Sequence, residues 1–168
     1  PLTAADLASH HCIVDALQQM TPEYPVLSEE SVDIPFAERR EWETYWLIDP
    51  LDGTREFIKK NGEFTVNIAL IENGEPILGV VTAPALKEAY WGLKGEGAYK
   101  RDRTGRTRRI SVVEPGEAKR VVASKNHLNE ETKSFIDKLG AHELVQAGSS
   151  LKFCKIAEGH ADIYPRLG

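Results

Sequence analysis

Trp46-Leu47-Ile48-Asp49-Pro50-Leu51-Asp52-Gly53-Thr54 is the stretch on which the reading of this chain turns. A β-type apolar run, Tyr45–Ile48, stops at Asp49-Pro50, so that two carboxylates three residues apart follow a strand end. Pro50 stiffens the exit and Gly53 permits a sharp turn. Both carboxylates can then converge beyond the strand. If Glu29, at the end of another predicted strand, joins them, each pair at about 4 Å repels by about 4 kcal/mol at an effective dielectric near 20. Such a cluster needs protons or a hard cation. An oxygen-only donor set selects Mg²⁺, Mn²⁺ or Ca²⁺, and Mg²⁺ keeps positions open for water and phosphate oxygens. Gly53-Thr54 opens a short helical stretch, Arg55–Lys60, ended by Asn61-Gly62. Its free N–H groups favour an anion. The Thr54 hydroxyl is placed to cap that helix or to hand a proton from water to a carboxylate. The alternative reading is a turn with two solvated aspartates and a capping threonine.

Toward the N-terminus, Thr3-Ala4-Ala5-Asp6 has the form of a capping box, and Leu7, Ile13, Val14, Leu17 and Met20 follow at helical spacing, which predicts a helix from Ala4 to about Met20. A short strand is expected at Pro25–Leu27, delivering Ser28-Glu29-Glu30, and Ser31–Glu43 reads as an exposed polar loop. Phe64–Ile71 and Ile77–Ala83 form a hairpin about Asn73-Gly74, and Ala89–Gly92, Gly97–Arg101 and Arg106–Val112 continue an antiparallel meander. The pattern then changes to strand 120–124, helix 130–139, strand 143–147, helix 151–158 and strand 161–164, with Gly140 and Gly159 past the helix ends. Meander followed by alternation gives a mixed α/β (α+β) chain with helices layered on sheets. We expect one structural unit over 1–168: a helix and antiparallel-sheet part, 1–112, and the start of an α/β part, 113–168.

Composition agrees. The 168 residues are 41% hydrophobic and 28% charged with 13 Gly and 9 Pro, which excludes a collagen-like or mostly disordered chain. No apolar run reaches the roughly 18 residues of a membrane span, so a soluble protein is expected. The net charge of −5 argues against wholesale nucleic-acid binding. The basic hairpin Lys100–Arg109 lacks interleaved aromatics and reads as a solvated turn. Cys12 and Cys154, outside any Cys-x-x-Cys spacing, fit reduced core thiols. His10 and His11 point about 100° apart on a helix and cannot both face one metal. Trp42, Trp46 and Trp91 read as core or loop anchors.

Asp49-Pro50-Leu51-Asp52-Gly53-Thr54 resembles the signature of the inositol monophosphatase superfamily of Mg²⁺-dependent, lithium-sensitive phosphatases. Ser28-Glu29-Glu30, Arg55-Glu56-Phe57-Ile58, Asn61-Gly62-Glu63-Phe64-Thr65-Val66-Asn67 and Gly148-Ser149-Ser150-Leu151-Lys152-Phe153-Cys154 extend the likeness over nearly the whole chain. They most resemble the bacterial CysQ type, the 3'(2'),5'-bisphosphate nucleotidases. The resemblance implies a layered αβαβα sandwich. It implies that Glu29, Asp49 and Asp52, with the backbone carbonyl of Leu51, hold two or three Mg²⁺ ions, and that Thr54 and Asp6 activate the nucleophilic water with Glu29 beside them. Leu51, Asp52, Gly53 and Thr54 would contact the scissile phosphate. Asp6 also has a plain capping reading.

The substrate class follows from the last third. Where inositol phosphatases place an acidic residue for sugar hydroxyls, this chain has Pro165-Arg166, and a guanidinium suits a second phosphate or a base instead. Ser149, Lys152 and His127 match nucleotide-contacting positions. Ordinary solvated cations at Lys152 and Arg166, and a helix-flanking His127, are the alternatives. The resemblance thus implies hydrolysis of the 3'-phosphate of adenosine 3',5'-bisphosphate, and of 3'-phosphoadenosine 5'-phosphosulfate, in sulfur assimilation. It implies a small phosphorylated nucleotide as partner, and a cytoplasmic or peripheral inner-membrane location. An inositol or sugar phosphatase is the rival within the enzyme class, and a metal- or phosphate-binding module without turnover the rival outside it. The family carries a further metal-binding aspartate in a Trp-Asp pair, and no Trp-Asp occurs here, so the chain is expected to be an internal portion of a longer phosphatase.

Overall fold

The computed structural model describes residues 2–31, 33–124 and 128–167. Helix α1 (Ala4–Met20) begins at the expected capping box: the Thr3 side chain accepts from Asp6 N–H, and the Asp6 carboxylate accepts from the Thr3 backbone. Its inner face carries Ile13, Val14 and Leu17, packed on Trp46 and Ile48. Leu7 and Met20, expected on that face, are exposed. Next come β1 (Val26–Ser28), a four-residue helix α2 (Phe36–Arg39) inside the segment expected to be loop, and β2 (Thr44–Asp52).

Strand β2 corrects the sequence reading. Instead of stopping at Asp49-Pro50 it runs to Asp52, with a register irregularity between Asp49 and Asp52 against β3 (Thr65–Glu72). Proline is tolerated in a strand at such a bulge, where no ladder hydrogen bond is asked of its nitrogen. The Pro50 carbonyl is held by Ser9 Oγ of α1 at 2.8 Å. Helix α3 (Thr54–Ile58) follows, then β4 (Glu75–Ala83), a 3₁₀ turn at Pro84–Leu86, β5 (Glu88–Leu93), β6 (Gly97–Arg101) and β7 (Thr107–Ile110). All seven strands form one sheet in sequence order, β1 parallel to β2 and every later pair antiparallel, which is the expected meander.

Strand β8 (Lys119–Ser124), helix α4 (Glu130–Lys138), strand β9 (His142–Ala147) and helix α5 (Leu151–Ala157) complete the chain, with β8 and β9 parallel in a second sheet. The strand expected at 161–164 is only a bridge from Ile163 to Val121. Arg120 supplies the rest of that contact, its guanidinium and backbone N–H both donating to Asp162. Ala83, Tyr90 and Ile110 of the first sheet share a buried cluster with Ala147, Leu151 and Cys154. Helix α5 is therefore layered between the two sheets.

The basic hairpin is less solvated than expected. Lys100 is buried and pairs with Glu158 at 2.7 Å, and Arg108 reaches the same carboxylate at 3.4 Å. Cys154 is buried as expected, but Cys12 is exposed on the outer side of α1. Trp46 is a core anchor whose Nε1 donates to Thr21 Oγ1, while Trp42 packs on Tyr45 and Trp91 stacks on Tyr99. Among the described residues no helix is long and apolar enough to cross a membrane.

Candidate active site

The parallel pairing of β1 with β2 places their C-terminal ends at one edge. Glu29 follows β1, its N–H donating to the Ile48 carbonyl, and Asp49 to Asp52 close β2. The strand alternation that turns Trp46 and Ile48 toward α1 turns Asp49 to the opposite face. There Asn67 of β3 lies directly across from Asp49, and Thr65 across from Asp52. The loop after β9 brings Gly148, Ser149 and Ser150 to the same edge. A cavity of about 730 Å³ results, lined by Asp49, Asp52, Gly53, Thr54, Lys152 and Arg166, among others.

Two glycines permit this approach. Gly53 has φ +86°, and a Cβ there would lie 1.9 Å from Ser149 Oγ; at Gly148 a Cβ would lie 2.9 Å from the Glu56 side chain. The contact is made by hydrogen bonds: Ser149 Oγ donates to the Asp52 carbonyl at 3.0 Å, Ser150 Oγ donates to Asp52 Oδ2 at 3.0 Å, and Asn67 Nδ2 donates to Ser150 Oγ at 2.9 Å.

Electrostatically the site is overloaded with negative charge. Burial, followed by the charges of Glu29 and Asp52, pushes the Asp49 carboxyl up to about 7, against a single stabilising bond from Leu51 N–H at 3.2 Å. Glu30 is also raised, by burial and then by Asp6 and Glu29. Among the described residues no three acidic or imidazole groups enclose one point. The Asp49 and Glu29 carboxyls lie within hydrogen-bonding reach of each other, a contact that itself helps raise Asp49. Beside them two buried oxygens, Asn67 Oδ1 and Thr65 Oγ1, have no hydrogen-bond partner. Orphaned acceptors next to crowded carboxylates in an oxygen-only donor set fit a hydrated Mg²⁺.

Asp49, Asp52, Gly53 and Thr54 line the cavity, Glu29 shares with Asp49 an adjoining depression, and Leu51 is buried in the last residues of β2. Thr54 does not cap α3: Gly53 is its N-cap and no side chain caps it. Asp6 is buried and serves the capping box, where both the N–H and the hydroxyl of Thr3 donate to its Oδ2. No hydrogen bond joins Asp6 to Thr54 among the described residues. Lys152 is buried, its ammonium 5.6 Å from the centre of the Tyr164 ring, so it is no ordinary solvated cation, whereas Arg166 is exposed at the rim. His127 lies outside the described residues.

Asn67, Ser150, Phe153 and Tyr164 had no role assigned from sequence. The signal for Asn67 was a polar residue on the interior alternation of an apolar strand. Phe153 packs edge-on against Tyr164 at 5.3 Å and extends the cavity wall.

The family model described as the inositol monophosphatase family matches residues 1–168. The 3'(2'),5'-bisphosphate nucleotidase CysQ of Salmonella typhimurium is 52% identical over all of this chain and 67% of its own length. That of Haemophilus influenzae is 37% identical over all of this chain and 63% of its own. Among solved structures, CysQ from Bacteroides thetaiotaomicron superposes with a TM-score of 0.87 at 42% identity, over 97% of this chain and 66% of that one. The inositol monophosphatase of Thermotoga maritima superposes with a TM-score of 0.80 at 28% identity, over 97% of this chain and 61% of that one. The chain thus spans about two thirds of the length of the relatives it matches.

Proposed function

The chain belongs to the inositol monophosphatase family, and from that premise we propose that it is the catalytic portion of a Mg²⁺-dependent 3'(2'),5'-bisphosphate nucleotidase, acting as one unit. The observation that carries the reading is the juxtaposition of Asp49 and Asp52 with Lys152, Tyr164 and Arg166 around one cavity. Carboxylates for a metal thus face cations and an aromatic ring suited to a nucleotide carrying a second phosphate.

Glu29, Asp49, Asp52 and the Leu51 carbonyl would hold the metal, two or three ions in all. When bound, Mg²⁺ lowers the pKa of a water and neutralises phosphate charge. The rest falls to the chain's own groups. Thr54, the first residue of α3 beyond the Gly53 bend, lines the cavity, where its hydroxyl and N–H would orient the attacking water and the scissile phosphate. Asp6 supports that proton transfer from the buried start of α1. Lys152 and Arg166 hold the second phosphate, with Ser149 and His127 completing the nucleotide contacts. Phe153 and Tyr164, packed edge-on, form one wall of the cavity. The substrates are adenosine 3',5'-bisphosphate and 3'-phosphoadenosine 5'-phosphosulfate, which places the reaction in sulfur assimilation in the cytoplasm.

Phosphate release by the full-length protein tests this. With Mg²⁺, adenosine 3',5'-bisphosphate is expected to be preferred over inositol monophosphate by kcat/KM. Asp49→Asn is expected to cost at least about a thousandfold, equivalent to about 4 kcal/mol of transition-state stabilisation. Preference for inositol phosphate would reassign the substrate; turnover unaffected by Asp49→Asn or by chelation would end the metal-dependent reading.

A further inference from the structure

The hydrogen-bond chain across the two sheets has a direction. A serine hydroxyl owns one proton, and Ser150 gives it to Asp52 Oδ2 while accepting from Asn67 Nδ2. The reverse amide orientation would make Ser150 donate to Asn67 and leave Asp52 Oδ2 without its proton donor. In the observed order Asn67 is left with Oδ1 turned away from Ser150, buried and unpartnered. Asp52 Oδ1, likewise, accepts no hydrogen bond among the described residues. The relay therefore engages one oxygen of each side chain and frees the other.

The elements that carry the relay explain its stiffness. Asp52 ends β2, Asn67 sits two residues into β3 across from Asp49, and Ser150 immediately precedes α5. A second bond, from Ser149 Oγ to the Asp52 carbonyl, fixes the same backbone, and Leu151 and Cys154 tie α5 into the shared core. A carboxylate on a bulged strand end, facing the charge of Asp49, would otherwise rotate to lessen repulsion.

We propose that Ser150, held by Asn67, is a positioning residue that locks the Asp52 carboxylate with one oxygen presented to the cation, while Asn67 Oδ1 accepts from the cation's water shell. The proposal rests on the metal-site reading above. Partners one step removed from a metal ligand typically change affinity by about 10- to 100-fold when lost.

The test uses the full-length protein and Mn²⁺ alone as probe, by calorimetry and by the electron paramagnetic resonance of bound Mn²⁺. Ser150→Ala is expected to weaken Mn²⁺ at least about tenfold. Its Tm without metal should match wild type, and its kcat at saturating Mg²⁺ should stay within about threefold, so that the loss falls on metal affinity. Ser150→Thr, which keeps the hydroxyl, should restore binding. Asn67→Ala should weaken Mn²⁺ in the same direction, and the double variant should lose less than the two single losses added, because both act through one relay. If Ser150→Ala does not fold, Asn67→Ala and Ser150→Thr carry the comparison. Wild-type affinity in Ser150→Ala, no recovery in Ser150→Thr, or fully additive losses would each overturn the proposal. A wild-type protein that binds no Mn²⁺ refutes the metal-site reading and this inference together; binding unaffected by the variants refutes the inference alone.

Discussion

Gly53 is where a single hydrogen atom decides the site. Its φ of +86° costs a non-glycine residue about 1–2 kcal/mol, and the Cβ of an alanine would fall 1.9 Å from Ser149 Oγ. Gly53→Ala must therefore drive the Ser149 hydroxyl off the Asp52 carbonyl. We expect phosphatase activity to fall at least about a hundredfold with a Tm loss of only a few degrees, read by phosphate release alongside thermal melting. Equal activity would show that the Ser149 contact is dispensable. Asp49 shows the opposite balance at the same scale. Buried beside two like charges, its anion is unfavourable, a cost that a cation at the proposed metal site would relieve.

Elements reach the site through their packing. Helix α1 is held on the sheet by Leu17 against Trp46 and Ile48, and by Trp46 Nε1 donating to Thr21. The same helix supplies Ser9 to the bulge at Pro50 and Asp6 to the rim of the acidic cluster. Leu17→Ala is expected to cost about 3 kcal/mol by denaturant unfolding, from lost transfer energy and the cavity left behind. A loss below about 1 kcal/mol would mean that α1 is not anchored there. At the other end, α5 is anchored past its last turn by Glu158, whose fully buried carboxylate meets Lys100, Arg108, Lys155 and His160. Burial alone would raise Glu158; Lys100, by hydrogen bond and by charge, with Lys155 and His160, holds it below the usual carboxylate range instead.

For the whole molecule, that network ties β5, β6 and β7 to the helix between the sheets, so its pH dependence is global. Glu158 is lowered on folding. Its stabilisation is therefore complete above the unfolded value near 4.5 and is lost as pH falls through the folded value. Urea unfolding of the full-length protein is expected to show stability dropping as pH falls below about 4.5, with a shallower drop in Glu158→Gln. Lys100→Met, which removes the nearest cation from the buried Glu158 carboxylate, should cost about 3 kcal/mol at pH 7. An unchanged acid limb in Glu158→Gln would assign the loss elsewhere. By itself the sequence determined the helix of the capping box, the meander about Asn73-Gly74, and the carboxylates after Ile48, because these rest on neighbours within a few residues. The short helix at Phe36–Arg39 escaped that reading, and the passage of β2 through Pro50 reversed it, because a bulge against β3 is not a local property. Only the tertiary structure decided that Lys100 and Lys152 are buried and that Ser150, held by Asn67, reaches Asp52. Those contacts join residues whose energies depend on which surfaces the two sheets bury between them, and chain order does not encode that distance.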